Sequence, residues 1–322
     1  MIPKKSDLTI CFAHVAYQLQ AQFEKRNAGV HSFQVWNRDD LAKRAGEADV
    51  LVISGLWNND IVKQAPKLRF IQSIGAGTDQ FGRDILGAGG IRLASASGVN
   101  KMAVSEHAMS LVLAMSRRLP EARDNQAKRI WRGMISDLSQ REDELGGKTL
   151  FVVGLGAIGG RVADLAKAFG MKVVGFRRNL GAGKGSAESV HTLSDLKQLL
   201  PDADFVVLTC PLTPETEKLI DADAFSRMKS SAFLINTARG RVVDEPALVK
   251  ALTEKRIAGA GIDVAVEEPL AASSPLWALS NAFITPHTGG ETCKYEDNVL
   301  DILQDNLNRL WRGEVTLRNQ IL

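Results

Sequence analysis

Three glycines and two arginines carry the first chemical information in this sequence. Phe151-Val152-Val153-Gly154-Leu155-Gly156-Ala157-Ile158-Gly159 runs an apolar, β-branched stretch into G-x-G-x-x-G, and a helical pattern follows at once over 161–169. A buried strand that turns sharply onto a helix N-terminus is a shape that holds a pyrophosphate. Gly154 permits the tight turn, Gly156 lets the backbone approach the phosphates, and Gly159 lets helix and strand pack closely. The exposed amides and the dipole at the helix start favour an anion by about 0.3–1 kcal/mol or more. Glycine-rich turns are common, so it is the strand–turn–helix context that points to a dinucleotide.

The next apolar run, 171–176, ends in Arg177-Arg178-Asn179. A site for NAD places an acidic residue about 20 residues past the glycines, on the ribose 2′-hydroxyl. Eighteen residues past Gly159 stands Arg177. A carboxylate there would repel a 2′-phosphate, whereas an arginine attracts it and can bind it bidentately. Arg177 and Arg178 therefore argue for NADP(H). NAD(H) is the alternative if one arginine only stacks on adenine. Lys184, in the glycine-rich loop 181–186, adds local charge.

Positioning these groups requires an α/β scaffold. Residues 8–12, 48–55, 68–74 and 91–95 read as strands, with a helix over 15–29 and further helical segments between. After residue 147, strands are expected at 148–154, 171–176, 204–210, 232–237, 259–264 and 282–285. Strands alternating with helices imply parallel sheets covered on both faces. The later set reads as a doubly wound nucleotide-binding domain.

Ligands gather at the carboxyl ends of such strands. The loop Gly75-Ala76-Gly77-Thr78-Asp79 leaves amides free for a carboxylate or phosphate, or is a plain strand-to-helix turn. Trp57 could wall the same cleft or sit in the core. Between the two sets, 103–118 is a long helix pattern with a continuous apolar face, and His107 within it reads as structural. Residues 119–147 are polar, Arg-rich and contain Trp131, as in an arm or loop.

The 322 residues are enough for two domains. Hydrophobic content of 45% and charged content of 24% are ordinary for a globular protein. A net charge of +3 is too weak a bias to suggest nucleic acid. Cys11, Cys210 and Cys293 lack zinc-ligand spacing and an even framework, which fits a reducing, cytoplasmic compartment and no metal site. The start lacks a signal-peptide core, and no stretch is apolar for 18 residues, so no membrane span is expected.

Later stretches carry a resemblance. Pro211-Leu212-Thr213-Pro214-Glu215-Thr216, Asn236 to Glu245, Ala258 to Leu270 and Ile284 to Gly290 closely resemble the D-isomer-specific 2-hydroxyacid dehydrogenases. Gly75 to Asp79 and Ser97-Gly98-Val99-Asn100 extend the likeness towards the start. The resemblance implies two Rossmann-like, doubly wound parallel-sheet domains with an interdomain cleft. The substrate domain would be discontinuous, 1–100 with 290–322, and the dinucleotide domain would be 101–289. Residues 291–312, a second long helix pattern, would carry the chain back to the first domain.

The family's catalytic Arg, Glu and His map onto Arg239, Glu268 and His287. Their chemistry makes separate sense. An anionic 2-oxo acid needs a fixed cation, and Arg239 can grip carboxylate and carbonyl oxygen together. Reduction needs a proton donor, for which His287 is placed at a strand end, and Glu268 can favour and orient its imidazolium.

Other roles follow from the resemblance. The Ala157 and Ile158 amides would meet the pyrophosphate. Cys210, Pro211 and Thr216 would line the adenosine side. Thr237, Ala238, Asp263 and His287 would face the nicotinamide end, and the amides of Gly75, Ala76 and Gly77 the substrate carboxylate. A homodimer through 103–118 and the following arm is also implied. Glyoxylate and hydroxypyruvate are the leading substrates. The alternatives are an NAD-preferring phosphoglycerate-type enzyme and a nucleotide-sensing, corepressor-like module on the same fold.

Overall fold

The computed structural model describes residues 2–26 and 29–322. The chain forms two compact units, Met1–Asn100 with Thr292–Leu322 and Lys101–Glu291.

The first unit is built on five parallel strands: β1 (Thr9–Ala13), β2 (His31–Val35), β3 (Val50–Ile53), β4 (Phe70–Ser73) and β5 (Arg92–Ala94), in the order β2-β1-β3-β4-β5. Cys11 pairs with Phe33 on one side and Leu51 on the other. Every residue of β3 and β4 is buried, as expected of central strands covered on both faces. The chain order reverses between β1 and β3, so the ends of these strands flank a topological switch point. The helix Tyr295–Trp311 packs in this unit and buries Val299, Ile302, Leu303 and Leu307 among the core residues of β1, β3 and β4. Asn306, fully buried on that helix, donates to Gln72 Oε1 at 2.9 Å. The last residues close the free edge of β5, where Leu93 N donates to Leu322 O at 3.0 Å and Ile321 N to Leu93 O at 2.8 Å.

The second unit carries seven parallel strands: β6 (Thr149–Val153), β7 (Lys172–Phe176), β8 (Ser189–His191), β9 (Phe205–Leu208), β10 (Phe233–Asn236), β11 (Gly259–Ile262) and β12 (Ala282–Ile284). Their order is β12-β11-β10-β9-β6-β7-β8. The chain starts in the middle, winds outwards through β7 and β8, then crosses back to β9 and winds the other way. This is the doubly wound nucleotide-binding arrangement, with its switch point between β6 and β9. Helices Lys101–Ser116 and Ala157–Ala168 share one apolar cluster that covers a face of this sheet.

Several expectations change. Two of the four edge strands, β2 and β8, fall outside the strands expected from the sequence. β2 alternates buried and part-exposed residues, and β8 has no fully buried residue, so neither shows the continuous apolar run of the central strands. The helix expected over 15–29 spans only Leu19–Lys25, because His14 Nδ1 accepts from the amides of Ala16 and Tyr17 and holds a turn ahead of it. Asn27 and Ala28, within that expected helix, lie outside the described residues. The arm contains a helix, Leu119–Ala127, that buries none of its residues. Among the described residues, no helix is long and apolar enough to cross a membrane.

Candidate functional site

The glycine turn has the shape its spacing predicts. β6 ends at Val153, and Gly154 follows at φ 104°. A Cβ there would stand 2.5 Å from Cys210 N, so only glycine fits against the end of β9. A Cβ on Gly159 would meet Gly154 O at 2.3 Å, so the first turn of the helix packs directly on the strand end. At Gly156 a Cβ would enter open space. The helix Ala157–Ala168 starts beside that space without a side-chain cap. Its first amides, those of Ala157 and Ile158 included, have no intrahelical acceptor. An uncapped helix start facing open space at a glycine fits a pyrophosphate.

A cavity of about 280 Å³ opens next to this turn. Gly154, Gly156 and Cys210 line it with Arg177, Arg178 and Asn179 from the end of β7. Pro211 and Thr216 complete the set expected on the adenosine side. The two arginines do different things. Arg177 Nη1 donates to Gly183 O at 3.0 Å and Ala182 O at 3.3 Å, tying down the loop behind it. Arg178 is exposed. Asn179 Oδ1 accepts from Gly181 N and helps close the same loop. Thr216 is buried, and its hydroxyl donates to Pro211 O at 2.7 Å while accepting from Thr213 N at 2.7 Å. It therefore shapes the loop as well as lining the cavity. Burial pushes the Cys210 thiol up to about 11, so it contributes backbone and volume here. The sequence reading gave no role here to Leu193, or to Thr213 and Glu215 individually, which also line the cavity.

At the ends of β10, β11 and β12 stand the other candidates. Arg239 follows β10 in extended conformation, exposed, with Nη1 donating to Ala238 O at 2.6 Å. Thr237 and Ala238 are buried behind it, and the Thr237 hydroxyl donates to Leu208 O at 3.2 Å. Asn236 was missed as a supporting residue. Its side chain, 3% exposed, accepts from Ala238 N at 3.1 Å and donates to Arg239 O at 3.2 Å, bracing the turn that carries the guanidinium. Gly240 was also missed. A Cβ there would lie 2.0 Å from Ala265 C and O, so the Arg239 turn and the loop leading to Glu268 touch backbone to backbone.

Glu268 and His287 form a direct pair. Glu268 Oε2 lies 2.6 Å from His287 Nδ1, and Glu268 Oε1 accepts from Ala265 N at 3.0 Å. The carboxylate is thus fixed at one oxygen and presents the other to the imidazole. The His287 side chain is 48% exposed, and with Nδ1 engaged its Nε2 is the nitrogen left for a ligand. His287 adopts φ 55°, a left-handed conformation that costs a non-glycine residue about 1–2 kcal/mol. Its amide donates to Asp263 O at 2.8 Å, which helps hold it there.

Asp263 is 4% exposed, and its carboxylate is largely engaged by protein. Oδ1 accepts from Thr285 Oγ1 at 2.6 Å and Thr288 N at 3.0 Å, and Oδ2 from Gly289 N at 3.0 Å. Burial pushes this carboxyl up, but hydrogen bonds from His107, Thr285 and Gly289 outweigh burial and leave it below its ordinary value. His107 Nε2 lies 2.9 Å from Thr285 Oγ1, as a structural histidine should.

In the first unit, Gly75, Ala76 and Gly77 follow β4. Gly75 O accepts from Ser73 Oγ and from Ala96 N, each at 3.0 Å. Among the described residues none of the three amides donates within the protein, and Ala76 and Gly77 are exposed. Of the two places open to Trp57, pocket wall or core, the structure has the core. It is 5% exposed, packs on Phe81 at 5.1 Å between ring centres, and donates from Nε1 to Asn59 Oδ1 at 3.1 Å. Its ring is core, and its polar atom is satisfied.

A family model described as D-isomer specific 2-hydroxyacid dehydrogenase, NAD binding domain, matches residues 109–289. A D-3-phosphoglycerate dehydrogenase of Methanocaldococcus jannaschii is 35% identical over 280 residues, which is 86% of this chain and 52% of that protein. The chain thus spans about half the length of that relative. A glyoxylate reductase of Aeropyrum pernix is 34% identical over 297 residues, 88% of each chain. The solved structure of a family protein from Aeromonas salmonicida matches with a TM-score of 0.84 and 30% identity, covering 98% of this chain and 99% of that one. This chain belongs to the D-isomer-specific 2-hydroxyacid dehydrogenase family.

Proposed function

We propose that the protein is an NADP(H)-dependent 2-hydroxyacid dehydrogenase that reduces a small 2-oxo acid of the glyoxylate or hydroxypyruvate class. The observation that carries the reading is the Glu268–His287 pair at 2.6 Å, at the strand ends of a sheet whose glycine turn fits a pyrophosphate.

When bound, NADPH supplies the hydride. Arg239 holds the anionic substrate by its carboxylate and carbonyl oxygens. In the first unit, the amides of Gly75, Ala76 and Gly77, undonated among the described residues, are the groups suited to an anionic carboxylate. Glu268 orients the His287 ring through Nδ1, which leaves Nε2 to carry the proton to the substrate. That proton passes to the carbonyl oxygen as it gains negative charge, a transfer worth about 10²–10⁴-fold. Asp263 fixes the backbone at His287, Thr288 and Gly289 and, with Thr237 and Ala238, borders the nicotinamide end.

Preference for the 2′-phosphate rests on Arg178, which is exposed on the cavity, with Arg177 closing the loop behind it. Glu215, on the same cavity, is the observation that favours the second reading, an NAD-preferring enzyme of the phosphoglycerate type. The protein works as a homodimer through residues 103–118 and the arm that follows, where Trp131 and Met134 stand 98% and 100% exposed. Its three free cysteines suit a reducing, cytoplasmic compartment.

A matrix of NADPH and NADH against glyoxylate, hydroxypyruvate, pyruvate and phosphohydroxypyruvate tests the proposal. Consumption of NADPH with the first two is expected, and no turnover with any pair would overturn it. His287→Gln is expected to lower kcat by about 10²-fold or more while NADPH still binds, and a fully active variant would remove His287 from the mechanism.

A further inference from the structure

A second histidine is coupled to the catalytic loop by hydrogen bonds whose direction can be worked out. Thr285 Oγ1 lies 2.6 Å from Asp263 Oδ1 and 2.9 Å from His107 Nε2. A threonine hydroxyl has one hydrogen, and the carboxylate can only accept it. Thr285 therefore donates to Asp263 and must accept from His107, which places a proton on His107 Nε2. The same nitrogen stands 3.3 Å from Asp263 Oδ1. The carboxylate that receives these hydrogens also receives the amides of Thr288 and Gly289, and Asp263 O receives the amide of His287. The approach is tight. A Cβ on Gly289 would lie 2.7 Å from Asp263 Oδ2 and 3.0 Å from His107 Cδ2.

We infer that His107 is a positioning residue for the catalytic histidine, acting through Thr285 and Asp263 to hold His287 in its left-handed conformation. The helix Lys101–Ser116 then does more than cover the sheet. Its Nε2–H fixes the rotamer of Thr285 and orients Asp263. Asp263 in turn grips the chain at His287, Thr288 and Gly289, the segment in which backbone strain must be held. Without that donor, Asp263 loses a partner inside a nearly dry site and is free to turn, and the His287 ring leaves the line set by Glu268. The cavity at the glycine turn, assigned to the adenosine and pyrophosphate, lies on other loops. The inference rests on the dehydrogenase reading for its kinetic arm only.

The test compares His107→Leu with His107→Gln, whose amide can donate from near the Nε2 position, and Thr285→Val with Thr285→Ser. Two readouts are taken on the full chain: amide hydrogen exchange across residues 285–290, and steady-state reduction of glyoxylate or hydroxypyruvate by NADPH. His107→Leu and Thr285→Val are expected to speed exchange in that segment at least about tenfold. They are expected to lower kcat about 10- to 100-fold, with KM for the 2-oxo acid nearly unchanged and any loss of NADPH affinity smaller than the loss of kcat. His107→Gln and Thr285→Ser are expected to recover most of both. Unchanged exchange in His107→Leu overturns the inference. So does faster exchange without loss of kcat, or a glutamine that restores neither. If His107→Leu fails to fold, the Thr285 pair decides by the same measures. If the wild-type protein turns over no 2-oxo acid, it is the dehydrogenase reading that fails, and exchange alone decides the role of His107.

Discussion

Replacing Gly240 with alanine perturbs the catalytic loops at a point that touches no ligand. The added Cβ would lie 2.0 Å from Ala265 C and O and 2.4 Å from Val266 N. Carbon contacts relax near 3.5 Å, so one loop must retreat by roughly 1 Å or more. Both sides of the contact are backbone, so no side-chain rotation absorbs the clash. The retreating segment begins at Ala265, whose amide is bound to Glu268 Oε1 at 3.0 Å, and Glu268 carries the 2.6 Å contact to His287. A misplacement of about 1 Å at a catalytic group costs up to about 10²-fold in rate. Overpacking of this kind costs about 1–3 kcal/mol of stability, and in a protein of this size lowers Tm by a few degrees. The expected result is a kcat about 30- to 100-fold down, with a smaller loss of NADPH affinity, because the cavity at the glycine turn is lined by other loops. Gly156→Ala is the matched control. Its Cβ enters open space where the pyrophosphate is placed, so Tm should hold while NADPH binds at least about tenfold more weakly. Stopped-flow and steady-state NADPH oxidation, fluorescence titration and thermal unfolding measure these quantities. Wild-type kcat in Gly240→Ala would refute the reasoning, as would losses of NADPH affinity as large as the loss of kcat.

Three further outcomes follow from the same geometry. Arg178→Ala is expected to weaken NADPH binding about tenfold or more while leaving NADH nearly unchanged, since charged hydrogen bonds contribute about 1.5–3 kcal/mol; Arg177→Ala, which frees the loop at Ala182 and Gly183, should weaken both cofactors, and equal effects of Arg178→Ala on both would refute the assignment. Asp263 is held below its ordinary value by its hydrogen bonds, so its contribution to stability is present above the unfolded carboxylate value and is lost as pH falls through the folded one. Asp263→Asn should therefore flatten the loss of stability below about pH 4, seen in urea unfolding at several pH values. Cys11 and Cys210 are buried with thiols pushed up to about 12 and about 11, and Cys293 is exposed, so a thiol reagent should titrate one cysteine quickly in the native protein and all three after unfolding.

What could be read from the sequence was whatever is encoded locally. β3, β6 and β9 are continuous apolar runs because both faces are covered, and the glycine turn reveals itself because its three constraints fall within six residues. β2 and β8 lie at sheet edges, where one-sided burial leaves mixed sequences such as His31-Ser32-Phe33-Gln34-Val35. The helix Leu119–Ala127 buries nothing of its own chain and so shows no apolar stripe. Tryptophan fits a pocket wall or a core equally well, and only the position of Phe81 and Asn59 decides for Trp57.

The supporting residues of the site were less legible for a different reason. Asn236 and Gly240 flank Arg239 within the stretch that carries the family resemblance, yet neither has a type that announces its role. A buried asparagine becomes intelligible once its partners, Ala238 N and Arg239 O, are seen on a turn, and Gly240 once Ala265 is seen 25 positions along the chain. His107 shows the limit most clearly. Read alone it is a helix histidine facing a core, and that reading is correct as far as it goes. Its nitrogen meets Thr285 across 178 residues of sequence, and the single hydrogen of that hydroxyl fixes which way the interaction runs. Roles of this kind belong to a hydrogen-bond direction, a property of three side chains taken together, and the catalytic loop inherits its order from it.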